Sequence, residues 1–219
     1  MPASQDGPKV VRRTAPFYEV GEQGVTKEYA STVTRSAVGR LAKLVGPIAL
    51  VNIKGVRLSN ANAYLDPTKL KIGGEEKHAL LLTRRDINHN RTHANDGYCR
   101  QGITIIEQIR YESGGAVAAR GFTSRIVVSA VNVQTKTLHT PDEIALTVAH
   151  ELAHSFLLNH CVSIGKCIMT PEPWWDTNAT LVPKNPFCDE HIDQLRGYSA
   201  LPRDRDLRTL LTSRGFQFD

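Results

Sequence analysis

No apolar run in this 219-residue chain approaches the roughly 20 residues needed to cross a bilayer. The opening stretch, MPASQDGPKVVRR, lacks the apolar core of a secretory signal. Unless a leader has been removed, a cytoplasmic protein is expected. Charge of one dominant sign is also missing, since 27 Lys and Arg stand against 22 Asp and Glu. Basic groups such as Arg84-Arg85 and those between Arg203 and Arg208 are interleaved with acids, as on a solvated surface rather than a nucleic-acid track. Neither a nucleic-acid nor a membrane partner is therefore expected. Methionine is nearly absent: besides Met1 there is only Met169. Cysteine is confined to Cys99, Cys161, Cys167 and Cys188, with the last three in one C-terminal stretch. The length suits one domain with a sizeable core, expected to be a monomer.

What is present is concentrated in residues 150–169, HELAHSFLLNHCVSIGKCIM. His150 and His154 are four apart, so on a helix both imidazoles leave the same face one turn apart and can share a zinc ion. Glu151 adjoins His150 without being spaced as a further ligand in that row. Such a carboxylate suits a general base acting on a metal-bound water. His160 can supply a third ligand if the helix ends near Leu157 and the chain turns back. A helix running past Leu157 would carry His160 roughly 15 Å along the axis from His150, too far to share an ion. The start of the helix is signalled by Thr140-Pro141-Asp142-Glu143, an N-cap threonine, a first-turn proline and a capping-box glutamate. Ala145, Val148, Ala149, Leu152, Ala153 and Phe156 recur with helical period as its buried stripe.

In a reducing compartment clustered cysteines bind metal more readily than they form disulfides. Cys161, Cys167 and Cys188, with His191 three residues beyond Cys188, match a four-ligand structural zinc site. Two disulfides are the alternative, and Cys99 reads most simply as a free thiol. His89 and His93 repeat the four-residue spacing, but in the polar stretch NHNRTHANDGY they read as surface histidines.

Along the rest of the chain, residues 1–25 read as a mobile tail or a strand lying on the domain, and residues 27–45 as an amphipathic helix closed by Gly46-Pro47. Strands are predicted over 48–53, 79–83, 103–111, 116–122 and 125–133, and C-terminal helices over 189–198 and 203–213. Trp174 and Trp175 follow Met169, where they either wall a side-chain pocket or pack in the core.

The run HELAHSFLLNHC, then Cys167-Ile168-Met169, then Cys188 with a partner three residues on, resembles the archaemetzincins, metzincin-type zinc peptidases whose signature is HExxHxxGxxHC, a CxM methionine turn and a CxxC. The motif-bearing part spans residues 140–191. The resemblance implies an α+β fold: one metzincin-like zinc-peptidase domain with a mixed twisted sheet, an active-site helix and a zinc-stapled C-terminal subdomain. Its bounds would be 26–219, after an N-terminal tail over 1–25, with the zinc helix at 141–158 and the structural-zinc region at 160–198. It further implies two zinc ions per chain. His150, His154 and His160 would hold the catalytic ion with Glu151 as general base, and Cys161, Cys167, Cys188 and His191 the structural one. Met169 would pack beneath the metal.

Three positions depart from the signature. Leu157 stands in place of its glycine, His191 in place of its last cysteine, and the Cys161–Cys167 gap is one residue longer. Because leucine resists the left-handed backbone that glycine adopts freely, the turn is expected to move to Asn159. The expected function is hydrolysis of peptide bonds, as an endopeptidase or aminopeptidase, with a peptide or protein substrate lying along an edge strand between Ile103 and Phe122. Alternatives are a zinc-stabilised binding module that has lost turnover, and an adamalysin-like secreted peptidase, which shares the CIM turn. A nucleic-acid-binding zinc protein rests only on the Cys/His cluster and mild basicity.

Overall fold

The computed structural model describes residues 11–12, 15–20, 24–45, 48–49, 53–58, 64–67, 70, 78–87, 101–113, 116–132, 135–161, 167–170, 187–197 and 207–213. In chain order the elements are β1 (Val11–Arg12), β2 (Ala15–Glu19), α1 (Lys27–Val45), β3 (Ile48–Ala49), β4 (Lys54–Val56), β5 (Tyr64–Leu65), β6 (Ala79–Thr83) and β7 (Asp86–Ile87). There follow β8 (Gly102–Ser113), β9 (Ala116–Ser129), α2 (Pro141–His154), α3 (Asp189–Arg196) and α4 (Leu207–Ser213). The expected α+β class holds.

The centre is β6, whose ALLLT sequence is buried at every position, as a strand covered on both faces must be. It lies in a five-stranded sheet of order β4-β2-β6-β9-β8, with parallel pairing throughout except for β8, which returns antiparallel along β9 as the edge. Strand alternation sorts the core into two layers. Leu80, Leu82, Ile126 and Val128 face one layer with Ala30, Val33, Ala37 and Leu41 of α1 and Ala145, Val148, Ala149 and Leu152 of α2. Leu81, Ala79 and Val127 face the other, with Phe17, Leu65 and Ile87. Helix α1 is amphipathic as predicted, burying Ala30, Val33, Thr34, Ala37, Val38 and Leu41 at helical spacing.

Three readings of the sequence need correction. The segment taken for a tail or a strand lying on the domain contributes β2, an interior strand between β4 and β6 with Phe17 buried. Pro16 within it and glycine near it obscured a five-residue strand that has a partner strand on each side. Of the strand predicted over 48–53, Ile48–Ala49 pairs with β1 outside the main sheet, Ile53 is in no strand and residues 50–52 lie outside the described residues, while a strand beyond the predicted bound, Lys54–Val56, joins β2. The runs read as separate strands over 116–122 and 125–133 are one strand, β9, ending at Ser129, because Thr123-Ser124 holds none of the stronger turn formers Gly, Pro, Asn or Asp. At the C-terminus, α3 covers Asp189–Arg196 of the predicted 189–198 and α4 covers Leu207–Ser213 of the predicted 203–213, residues 198–206 lying outside the described residues. The polar stretch 88–98, Cys99, Trp174 and Trp175 lie outside the described residues.

Candidate metal centre

Helix α2 begins as its sequence dictates. Thr140 is the N-cap, its hydroxyl accepts from the Glu143 backbone N–H, and the Glu143 carboxylate accepts from the Thr140 backbone N–H. Such a reciprocal cap is worth about 1 kcal/mol. Tyr29 of α1 ties this end down by donating its hydroxyl to the His139 carbonyl at 2.9 Å. Every residue from Ile144 to Ala153 is buried, so the helix is a core element rather than a surface helix with one apolar stripe.

Its other end decides the geometry of the site. The helix stops at His154, four residues before the predicted bound at 158, and the expected shift of the turn to Asn159 does not occur. Leu157 itself takes the left-handed conformation, with φ +63°. The Leu157 N–H donates to the His154 carbonyl at 2.8 Å and the Leu158 N–H to the Ala153 carbonyl at 3.4 Å. This is the pair of bonds of a Schellman turn with leucine in the position usual for glycine. The sequence-level expectation weighed only the backbone cost, about 1–2 kcal/mol for a left-handed L-residue. It missed the side chain, which is 0% exposed against Leu210 and Leu211 of α4 with Ile106 of β8 alongside. Burying a leucine returns about 1.5–3 kcal/mol, enough to offset the strain.

The turn swings His160 back to the helix. Its ring centroid lies 5.4 Å from that of His150 and 4.9 Å from that of His154, which are themselves 4.8 Å apart. One ligand atom from each falls within 4.8 Å of the others. The protonation of the two helical histidines follows from their partners. His150 Nδ1 faces the Ile168 carbonyl at 2.5 Å and His154 Nδ1 the Leu158 carbonyl at 2.7 Å. Carbonyls only accept, so each Nδ1 carries a proton. Burial lowers the pKa of His150 below the ordinary imidazole range, and that of His154 well below it, with His150 and His160 adding to the second shift. Both rings are therefore neutral, and each Nε2 presents a bare lone pair. These two Nε2 atoms face one another at 3.1 Å, a repulsive arrangement without a cation to share. The donor set fits zinc, and the carbonyls of Ile168 and Leu158 fix ring orientation as outer partners of metal-binding histidines do.

Glu151 is buried and is held from the start of β8. Thr104 Oγ1 lies 2.7 Å from its Oε2 and 2.8 Å from its main-chain oxygen. A Cβ placed on Gly102 would come within 2.7 Å of Oε1, so only glycine leaves room for the carboxylate. Neither residue was found from the sequence. No motif links positions 47 residues apart, and only the β8–β9 pairing brings them to the helix. A glycine opening an apolar strand run was the available signal, since it commonly marks close approach.

A second group lies on the far side of the same short segment. Cys161, Cys167, Cys188 and His191 each bring one ligand atom within 4.8 Å of the others. His191 Nδ1 is 3.0 Å from Cys188 Sγ and 3.4 Å from Cys167 Sγ, and Cys161 Sγ is 3.8 Å from Cys188 Sγ. The three cysteines are free thiols, and that sulfur separation is well beyond the roughly 2.05 Å of a disulfide. Burial pushes the Cys167 thiol up to about 12, so the cluster needs a cation to become a thiolate set. Burial also lowers the His191 pKa, leaving a neutral ring, while the Asn159 backbone accepts a hydrogen bond from it. Four soft and borderline donors with no open position fit a structural zinc. The segment 157–161 is thus held at successive residues, with the Cys161 N–H donating to the Met169 carbonyl at 2.8 Å. Met169 is fully buried in the core beside Ile168.

No helix among the described residues is long and apolar enough to cross a membrane. No family model matches this sequence, and no curated protein matches it significantly. Among solved structures, the fold is similar to that of archaemetzincin from Methanopyrus kandleri, with a TM-score of 0.54 at 15% identity over 88% of this chain and 97% of that one. At that identity the likeness is one of fold, and this chain has an archaemetzincin-like α+β fold carrying two Cys/His clusters compatible with zinc.

Proposed function

We propose that this protein is a zinc peptidase in which His150, His154 and His160 hold the catalytic ion and Cys161, Cys167, Cys188 and His191 a structural one. The observation that carries the reading is the convergence of three imidazoles, with a buried carboxylate next in sequence to the first of them, Glu151, that is not one of the converging groups. When bound, the catalytic ion supplies a Lewis acid that acidifies water and polarises a carbonyl. Glu151 takes the water's proton on its carboxylate and passes it to the leaving amine.

Thr104 serves both states of that carboxylate. Its one hydroxyl proton has two acceptors in reach, Glu151 Oε2 and the Glu151 main-chain oxygen. It donates to the ionised carboxylate. Once Glu151 is protonated, the hydroxyl turns to the main-chain oxygen and accepts from the new acid. The substrate is an extended peptide added to β8, the edge strand of the sheet among the described residues, on the strand that carries Thr104, the partner of Glu151.

The test is cleavage of a mixed peptide library by the zinc-loaded protein, read by mass spectrometry of new termini. A cleaved peptide then serves for kinetics. Thr104→Val should lower kcat about tenfold, the value of one charge-assisted hydrogen bond, with KM and zinc content unchanged, and Thr104→Ser should restore it. A library left intact by the loaded wild type would overturn the reading in favour of a zinc-stabilised binding module.

A further inference from the structure

Leu157 is one of the positions at which this chain departs from the archaemetzincin signature, and its side chain is held by an element far away in sequence. It packs with Leu210 and Leu211 of α4 in a small cluster separate from the main core, with Ile106 alongside. Three residues later comes His160, which is exposed and whose ring reaches those of His150 and His154 only where the backbone leading out of the turn carries it there. A leucine released from such a contact reverts to right-handed or extended backbone. Rotation at that point moves the following residues together, and with them the His160 imidazole.

We infer that α4 is a positioning element for the third ligand of the metal centre: by clasping Leu157 it maintains the left-handed turn that aims His160 at His150 and His154. The inference rests on the three-histidine metal site but not on peptide hydrolysis. A glycine at position 157 would make the turn unaided, so the clasp is specific to a chain with leucine there. Linkage is reciprocal. Ion binding at the three histidines stabilises the docked α4, and undocking of α4 weakens ion binding. The cysteine cluster holds the same segment at other residues, through Asn159 and Cys161, and not through Leu157.

Cobalt(II) titration of the full chain distinguishes the two sites, because only the cysteine site gives a thiolate charge-transfer band. The paired change Leu210→Ala with Leu211→Ala should weaken cobalt binding at the three histidines about tenfold, the order set by the strain of a left-handed leucine. The cysteine-site band should be retained. In the Leu157→Gly background the same pair should change that affinity by less than about twofold, within the additivity of uncoupled sites. An equal loss in both backgrounds would overturn the inference, since α4 would then act through general stability. So would no loss in either, or loss of the cysteine-site band together with the other. A wild type that takes up no cobalt at the histidines would overturn the metal centre itself and this inference with it, and is recognised from the first titration.

Discussion

Glu151→Ala is expected to abolish measurable peptide hydrolysis while leaving zinc content and thermal stability close to those of the wild type. The separation of roles follows from where the groups point. The three imidazoles converge on one another, whereas the Glu151 carboxylate is turned to Gly102 and Thr104 on the edge strand. Removing it takes away the proton acceptor and leaves the ligand set and the outer carbonyl partners intact. General acid–base catalysis by one positioned group contributes about 10²–10⁴-fold, so activity should fall by at least that range. Kinetics on a cleaved library peptide, with zinc measured on the same samples, decides it. Loss of zinc in the variant would make Glu151 a ligand and sink the proposed mechanism.

Cys188→Ser should have the largest effect on stability. Cys188 Sγ sits 3.0 Å from His191 Nδ1 and 3.8 Å from Cys161 Sγ, so its removal would leave the four-residue ligand set incomplete at the centre of its contacts. The remaining buried thiols then favour protonation, with Cys167 already pushed up to about 12 by burial, and the ion leaves. A structural zinc supplies several kcal/mol of folding free energy, and a domain of this size loses about 2–4 °C of Tm per kcal/mol. A fall of about 10 °C or more is expected. Because binding by cysteine releases protons, zinc retention at this cluster should weaken as pH falls. The three-histidine site should also hold its ion less well, since the Asn159 backbone accepts a hydrogen bond from His191 and His160 comes next. A serine variant with unchanged Tm and zinc content would show the cluster to be a set of ordinary buried thiols.

Much of the site was legible because its signals are local. The spacing of His150 and His154, the Thr140–Glu143 cap and the Cys188–His191 pair each depend on one turn of helix, and the structure brings all seven candidate ligands into the two expected groups. The failures are of two kinds. Leu157 was judged on backbone preference alone, when the deciding term was burial against α4, more than 50 residues downstream in the chain. Gly102 and Thr104 were invisible because their importance arises from strand pairing. The same holds for the fold. Strands with continuous apolar character, such as Ala79–Thr83, were found at their true bounds. Interior strand β2, with proline in it and glycine near it, reads from sequence as part of a tail or of a strand lying on the domain, since its pairing with two neighbours is not written in its own residues.

The most direct test of the whole reading is the metal content of the wild-type chain purified under reducing conditions, measured together with its thiols. Paired catalytic and structural sites predict about two zinc ions per chain, with every cysteine free of disulfide by mass spectrometry. One zinc accompanied by two disulfides would contradict the structural site and favour the adamalysin-like arrangement, and a chain without zinc would contradict the metal centre altogether.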